Sequence, residues 1–335
     1  MRLSAMGDVA MTVPVLRAFV KQHPEVKITV VSRPFFEPFF ENIANVSFFA
    51  FDQKNRHKGF LGLIKLFLDL KKRPIDAFAD LHNVLRSKVI RTLFALNLQK
   101  VAALNKGRKG KKALTRAKNK IFEPLPTMFQ NHCKVFEQLG FEVDLSNPVF
   151  PEKADLSPDL KEIIGRPQFL IGIAPFAQYN AKVYPEALMR EVITALAKNP
   201  AYTILLFGGG AKEIELLNSF AANQSNVINM AGKIKFKQEL QLISNLNIML
   251  SMDSGNAHIA AMLGVPVVTL WGATHPYAGF MPFNQPLSNA LTANRNQFPL
   301  LPTSVYGNKI VEGYQNAMET ILVVDVVEKI KSLLN

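Results

Sequence analysis

Short apolar runs alternate with segments of helical periodicity along most of the chain. Continuous apolar runs bounded by turn residues are typical of buried strands, and apolar positions three or four apart are typical of amphipathic helices. The predicted strands are 26–32, 46–51, 75–81, 99–104, 169–174, 202–207, 227–230, 247–252 and 265–271. The predicted helices are one after Gly7-Asp8, one from Pro34, and 60–71, 85–96, 127–139, 185–198, 212–222, 236–245, one after Ser254 and 323–334. This alternation predicts an α/β fold with doubly wound parallel sheets.

The strand and helix pattern falls into two similar halves. Residues 144–168 join them, with four prolines between weak patterns. We therefore predict an N-terminal domain of residues 1–152, a C-terminal domain of residues 153–322 and a closing helix at 323–335. Two such halves predict a ligand cleft between them, at the carboxyl ends of the strands.

The first residues resemble the end of a strand followed by a Gly7-Asp8 turn into a helix. Only about three residues precede the turn, whereas a strand typically has about five or six. We expect either a short first strand or an original start several residues upstream.

The stretch 247–272 reads as strand, turn, helix and strand, with Asp253-Ser254-Gly255 at the turn. A helix that begins just beyond the carboxyl end of a strand presents unpaired N–H groups and the positive end of its dipole. The stretch therefore predicts a phosphate site at Ser254 and Gly255. The alternative is that Asp253 or Ser254 simply caps an ordinary helix. His258 lies on the same helix face as Ser254 and by itself is more typical of a structural histidine.

Composition narrows the class of protein. Hydrophobic residues make up 48% of the chain, which is enough for two cores. The single cysteine, Cys133, excludes an internal disulfide and a cysteine-based zinc site, and it fits a reducing compartment. No apolar run approaches the roughly 18 residues of a membrane span. We therefore expect a cytoplasmic protein.

Positive charge is concentrated in residues 53–120, which hold 19 of the 39 Lys and Arg residues and only three acidic residues. The peak is at 106–120, with eight basic residues and no acid. A solvated or disordered loop is one interpretation. The other is a mobile arm for a polyanion, which can be a phosphorylated glycolipid, an anionic membrane or a nucleic acid. The segment lacks the interleaved aromatic residues and motifs of a nucleic-acid-binding protein.

Several common sites are excluded by their motifs. The chain has no G-x-x-x-x-G-K-[ST] loop, no dinucleotide fingerprint after Gly208-Gly209-Gly210, no G-x-S-x-G and no D-x-D pair. The six histidines are scattered, so we predict that no divalent metal holds the phosphates. Helix N-termini and a lysine remain as phosphate ligands.

Three stretches together resemble glycosyltransferase family 9, the heptosyltransferases of lipopolysaccharide core assembly. They are 2–18, 182–186, and 253–261 with 263–266 and 270–274. The resemblance implies a GT-B architecture, in which two Rossmann-like domains face each other across a cleft. The N-terminal domain would bind the acceptor and the C-terminal domain the nucleotide sugar. The implied activity is inverting, metal-independent transfer of heptose from ADP-heptose to the Kdo–lipid A inner core, without a cofactor.

The resemblance also implies roles for individual residues. Asp8 matches the proposed base, which takes a proton from the acceptor hydroxyl, although it can instead cap a helix. Lys182 matches a phosphate-contacting lysine that would stabilise the leaving diphosphate, although it can instead be a solvated loop lysine. Asp253 would lie near the sugar hydroxyls. The other implied donor contacts are Gly209, Glu213, Met230, Ser254, Gly255 and His258, with Glu215 equal to Glu213 as a candidate and Ala231 beside Met230.

Basic residues are the predicted contacts for an anionic glycolipid acceptor at the inner membrane leaflet, with which the protein would associate peripherally. They are Arg56, Lys58, Lys106, Arg108, Lys109, Lys111 and Lys112. We expect a monomer that binds no nucleic acid. The alternatives are a transferase of the same family with another donor or acceptor, or a protein that is catalytically silent or only binds polyanions.

Overall fold

The computed structural model describes residues 1–309 and 311–334 and consists of alternating helices and strands. The strands are β1 (Ile28–Ser32), β2 (Val46–Ala50), β3 (Ala77–Asp80), β4 (Lys100–Ala103), β5 (Phe169–Ala174), β6 (Tyr202–Leu206), β7 (Val227–Asn229), β8 (Ile248–Met252), β9 (Val267–Trp271) and β10 (Ala290–Thr292). The helices are α1 (Met6–Ala10), α2 (Thr12–Gln22), α3 (Gly59–Lys71), α4 (Leu85–Leu96), α5 (Arg108–Thr115), α6 (Met128–Glu137), α7 (Pro158–Ile164), α8 (Glu186–Ala197), α9 (Ala211–Ala221), α10 (Phe236–Ser244), α11 (Gly255–Met262) and α12 (Val323–Leu334). Every paired strand in the described residues is parallel to its neighbour. The predicted α/β class is therefore confirmed.

The chain divides into two compact units. The first contains residues 1–107 and 126–150, and the second contains 108–125 and 151–335. The predicted division at 152/153 placed 108–125 in the N-terminal domain, whereas this segment groups with the second unit. The functional division into acceptor and donor domains stays a prediction.

The second unit contains a six-stranded sheet in the order β10-β9-β8-β5-β6-β7. Strand order reverses between β5 and β8, because the chain moves outward from β5 to β7 and then continues on the other side of β5 with β8. In doubly wound sheets, ligands bind at the carboxyl ends of the strands at this point of reversal. The loops after Ala174 and Met252 leave the sheet there.

The core of the second unit explains why its strands were easy to predict. All five residues of β8 and of β9 are buried, since helices cover both faces of such a sheet and leave no polar side. Helix α12 buries Val326, Val327, Ile330 and Leu334, which share one face. The hydroxyl of the buried Tyr184 donates to the Ile321 carbonyl at 2.6 Å, which fixes the chain just before α12.

The first unit contains two separate strand pairs, β1–β2 and β3–β4. Residues 1–3 join them. The Arg2 N–H donates to the Val31 carbonyl and the Leu81 N–H to the Met1 carbonyl, both at 3.1 Å. The Met1 amino group donates to the Ala79 carbonyl at 2.7 Å. The short first strand predicted from the sequence is thus reduced to a few bonds at the carboxyl ends of β1 and β3.

A cavity of about 460 Å³ lies inside the first unit. Its walls include residues of β1 and β3 with the segments before them, and Leu16, Phe19 and Phe136 from helices. Met1 also lines it, and burial lowers the pKa of the Met1 amino group to about 6. Met1 is therefore buried beside a space that both strands border.

The basic segment 108–125 is folded rather than the loop or mobile arm that its charge predicted. It begins with α5, whose Leu114 is fully buried. The Leu125 N–H donates to the Tyr277 carbonyl at 2.9 Å, and the Phe122 ring packs against Tyr277. The Arg295 guanidinium lies 3.4 Å from the centre of the Phe122 ring. These apolar and cation–π contacts to the second unit hold the segment despite its charge. Among the described residues, no helix is both long and apolar enough to cross a bilayer.

Candidate active site

A buried ion pair lies at the reversal point of the second unit's sheet. Lys182 ends a short 3-10 helix, Asn180–Lys182, in the loop after β5, and Asp253 directly follows β8. Because β5 and β8 are neighbours, these two loops meet. The Lys182 Nζ is 2.9 Å from the Asp253 Oδ2, and their side chains are only 12% and 9% exposed. The alternative of a solvated loop lysine is therefore wrong.

The N-terminus of α11 lies directly beside this pair in sequence. Ser254 is the residue before the helix, and Gly255 is its first residue. The Ser254 side chain does not cap the helix; its Oγ lies 3.0 Å from the Ser251 Oγ instead. The N–H groups of the first turn are thus not satisfied by that side chain and can bind an anion. His258 is one turn further along the same helix and is 6% exposed.

The predicted nucleotide turn lies at the carboxyl ends of β6 and β7. The Gly209 N–H donates to the Glu213 Oε2 at 2.8 Å, so Glu213 closes the turn at the start of α9. Glu215 is exposed. The structure therefore separates two glutamates that the sequence could not rank. Met230 and Ala231, just after β7, are buried.

Asp8 in the first unit contacts Ala5 and Arg2. It is the third residue of α1, and its Oδ2 accepts the Ala5 N–H at 3.1 Å. The same oxygen is 2.5 Å from an Arg2 guanidinium nitrogen. Arg2 is 7% exposed and also donates to the Ser4 and Leu81 carbonyls at 2.9 and 2.7 Å. Asp8 is thus not the N-cap that the alternative predicted; it lies inside the helix and accepts the N–H of the N-cap, Ala5, while 27% of its side chain remains exposed.

Two histidines of the first unit are influenced by the Arg2–Asp8 pair. Burial, and after it the charge of Arg2, lowers the pKa of His82 to about 4 and that of His132 to about 3. Both imidazoles are therefore neutral at pH 7. The sequence analysis did not identify Arg2 as a partner of Asp8. The only indication in the sequence was that Arg2 is the one basic residue in the segment that leads to Asp8.

The predicted acceptor contacts are divided between the two units. Arg56 and Lys58 are exposed in the first unit, which also contains Lys106. Two guanidinium nitrogens of Arg56 bind Asp69 at 2.6 and 2.7 Å, which lowers the pKa of that carboxyl. In the second unit, the exposed cations of α5 are Arg108, Lys109 and Lys112.

Lys111 differs from the other basic residues of α5. It is 7% exposed, and its Nζ lies 4.2 Å from the centre of the Phe280 ring. This contact holds the helix to the second unit. Lys111 therefore presents no exposed cation to an acceptor.

The strand order of the second unit defines a Rossmann-like type of α/β domain, with charged residues at its crevice. The sequence model of glycosyltransferase family 9 (heptosyltransferase) matches residues 63–312. The chain therefore belongs to glycosyltransferase family 9 and is a glycosyltransferase, as the resemblance predicted.

Individual relatives agree with this assignment. The lipopolysaccharide core heptosyltransferase OpsX of Haemophilus influenzae is 24% identical over 281 residues, which are 82% of this chain and 79% of OpsX. A glycosyltransferase of family 9 from Veillonella parvula has a similar structure, with a TM-score of 0.75, 19% identity and coverage of 99% of this chain and 95% of that one. The structure of E. coli heptosyltransferase WaaC with ADP-2-deoxy-2-fluoro heptose is also similar, with a TM-score of 0.67 and 18% identity. The match covers 99% of this chain and 98% of that one. These similar structures confirm the predicted GT-B fold.

Proposed function

We propose that this enzyme transfers heptose from ADP-heptose to the Kdo–lipid A inner core of lipopolysaccharide, with inversion and without a metal ion. The observation that carries the proposal is the buried Lys182–Asp253 pair beside the N-terminus of α11. Family membership supports a heptosyl donor. The name of OpsX supports the lipopolysaccharide core as acceptor, and the ligand of WaaC supports an ADP-linked sugar.

In this proposal, the second unit binds the donor. The diphosphate gains negative charge as the glycosidic bond breaks, and preorganised cations and N–H groups stabilise that charge. The Lys182 ammonium and the first N–H groups of α11 supply them. Asp253 holds the ammonium in place and offers its carboxylate to a sugar hydroxyl. The turn at Gly209, closed by Glu213, and the buried Met230 would contact the nucleoside.

The first unit would supply the base. The partly exposed Asp8 carboxylate accepts the proton of the acceptor hydroxyl, while the ion pair with Arg2 orients it. Direct attack of that hydroxyl on the anomeric carbon inverts the configuration. General bases contribute typically about 10²- to 10⁴-fold to a rate. We therefore expect Asp8→Asn to lower kcat by about this factor and to leave the affinity for ADP unchanged.

Asp144→Asn is a matched control for this variant, because Asp144 is an exposed aspartate of the same unit. Its carboxylate accepts from Ser146 in its own turn, and its bonds to Gln22 involve only its main chain. It should keep full activity. Asp8→Asn with normal turnover would refute the role of Asp8.

The donor is tested by calorimetric titration with ADP, UDP, GDP and CMP, first without metal and then with magnesium. Selective, metal-free binding of ADP supports the proposal and makes ADP-heptose the first substrate to assay. Preference for another nucleotide would show that the donor is a different nucleotide sugar, while the assignment to the family would still hold. Binding of none would instead favour a catalytically silent protein.

The acceptor is proposed to bind through its phosphates to basic residues, namely the exposed Arg56, Lys58, Arg108, Lys109 and Lys112 and the half-buried Lys106. Such binding would bring the enzyme to the inner leaflet of the membrane. Binding to lipid A vesicles should weaken with salt and with the substitution of Arg108, Lys109 and Lys112 by Gln. Salt-sensitive binding to random DNA without binding to vesicles would refute this part of the proposal.

A further inference from the structure

The aliphatic part of Lys182 lies against Gly307, which is distant in sequence. A methyl group on Gly307 would lie 2.4 Å from both Cγ and Cδ of Lys182. Gly307 also has a φ of +79°, a conformation that glycine adopts without strain. Position 307 therefore needs a glycine as long as the Lys182 side chain keeps this path.

Gly307 belongs to a loop, residues 303–308, that is fixed by its own hydrogen bonds. The Ser304 Oγ accepts the N–H groups of Tyr306 at 3.3 Å and Gly307 at 3.0 Å, and it donates to the Asn308 Oδ1 at 3.0 Å. Ser304 is 3% exposed. These bonds hold the loop in its conformation without any contribution from Lys182.

The 303–308 loop and the Lys182 main chain are attached to the same segment after β9. The N–H groups of Thr303 and Ser304 both donate to the Ala273 carbonyl, at 2.9 and 3.1 Å. The Ala273 N–H donates to the Ala181 carbonyl at 3.0 Å. Ala273 therefore sets the distance between the loop and Lys182 on both sides.

We propose that the 303–308 loop, through Gly307, is a positioning element that directs the Lys182 ammonium to Asp253 and to the donor diphosphate. A free lysine side chain has many rotamers, and ordering it on binding lowers the affinity for the ligand. Contact with Gly307 orders the aliphatic part before the ligand arrives. This proposal rests on the proposed function of Lys182 as a ligand of the donor diphosphate. The contact between Gly307 and Lys182 is observed independently of that function.

The test compares Gly307→Ala with Gly313→Ala. Gly313 has the same φ of +79°, so both variants place an alanine at a positive φ, but a methyl group at 313 meets no atom within 4 Å. A displacement of about 1 Å in a catalytic group can cost about 10²-fold in rate. We expect Gly307→Ala to lower kcat/KM for the donor by about 10- to 100-fold and to weaken ADP binding, with the acceptor KM unchanged. Gly313→Ala should match the parent.

A Lys182→Ala background separates positioning from a general effect on folding. If Gly307 acts through Lys182, Gly307→Ala should reduce ADP affinity in the parent and have no further effect in Lys182→Ala. An equal loss in both backgrounds, or parent-like ADP binding by Gly307→Ala, would overturn the proposal.

A readout without ligand distinguishes this failure from a failure of the proposed function. If the parent binds no nucleotide, the proposed function fails, and the positioning role is then decided by the coupling between Lys182 and Asp253 in urea unfolding. That coupling should be present in the parent and in Gly313→Ala and be lost in Gly307→Ala. Persistence of the coupling in Gly307→Ala would refute the positioning role.

Discussion

Removing the charge of Lys182 tests whether the Lys182–Asp253 pair is as buried and as strongly coupled as its geometry indicates. Lys182→Met keeps a long unbranched side chain beside Gly307 and leaves the Asp253 carboxylate without its cation. At 2.9 Å and an effective dielectric constant of about 20, the gross attraction is about 6 kcal/mol. Desolvation offsets much of it, and breaking a buried pair on one side typically costs about 3–5 kcal/mol.

The double variant Lys182→Met/Asp253→Asn removes both charges. Replacing a whole buried pair by neutral groups is often close to neutral for stability. We therefore expect each single variant to lose about 3 kcal/mol or more and the double variant to lose clearly less than the sum. This non-additivity measures the coupling.

Tryptophan fluorescence gives a clean assay for this prediction. Trp271 is the only tryptophan of the chain, it is 1% exposed, and it lies in β9 of the second unit. With an m-value of about 2–3 kcal/mol/M, a loss of about 3 kcal/mol moves the urea midpoint by about 1–1.5 M. The control is Lys331→Met, which breaks an exposed pair with Glu328 in the same unit and should cost less than about 1 kcal/mol. Single variants that unfold at the midpoint of Lys331→Met would refute the reasoning.

Two further predictions concern the first unit. Burial raises the pKa of the Cys133 thiol to about 11, so Ellman's reagent at pH 8 should react far more slowly with the native protein than with protein in urea; equal rates would contradict this. The buried Met1 amino group, His82 and His132 have pKa values of about 6, 4 and 3 in the folded state, against about 8 and 6.5 when unfolded. The unfolded state therefore binds more protons, and the free energy of unfolding should fall as pH falls from 8 to 4. The measurement is hydrogen exchange of first-unit peptides, corrected for intrinsic exchange rates. Protection that stays constant or rises as pH falls would contradict the prediction.

The sequence predicted the parts of the fold that depend on local pattern. Helix 85–96, strand 169–174 and helix 323–334 have the predicted bounds, because each carries its periodicity within one continuous segment. β10 was missed, since it has three half-buried residues and no pattern long enough to detect. Helix α5 was missed because its charge indicates a loop, while the aromatic partners that stabilise the segment are more than 140 residues away in sequence.

In the candidate site too, the sequence predicted what depends on local pattern and missed what depends on contacts between distant segments. The strand, turn and helix at 247–264 indicated Asp253, Ser254 and Gly255, since the signal is local. The ion pair of Lys182 with Asp253 depends on β5 lying next to β8. Strand order results from packing between distant segments, so no single segment of the sequence predicts it. The contact between Gly307 and Lys182 joins two loops, and no periodicity relates them.

The buried amino terminus has a practical consequence for producing the protein. Met1 is bonded to Ala79 of β3 and to Leu81, Arg2 is bonded to Val31 of β1, and Met1 lines the cavity of the first unit. Residues of an affinity tag fused before Met1 would start beside that cavity, and they would turn the amino group that donates to Ala79 into a main-chain amide. Within the described chain, β1 and β3 each pair with a single strand. A short apolar extension in an extended conformation would find main-chain partners on both, so the choice of fused residues determines whether tagging weakens or strengthens the unit.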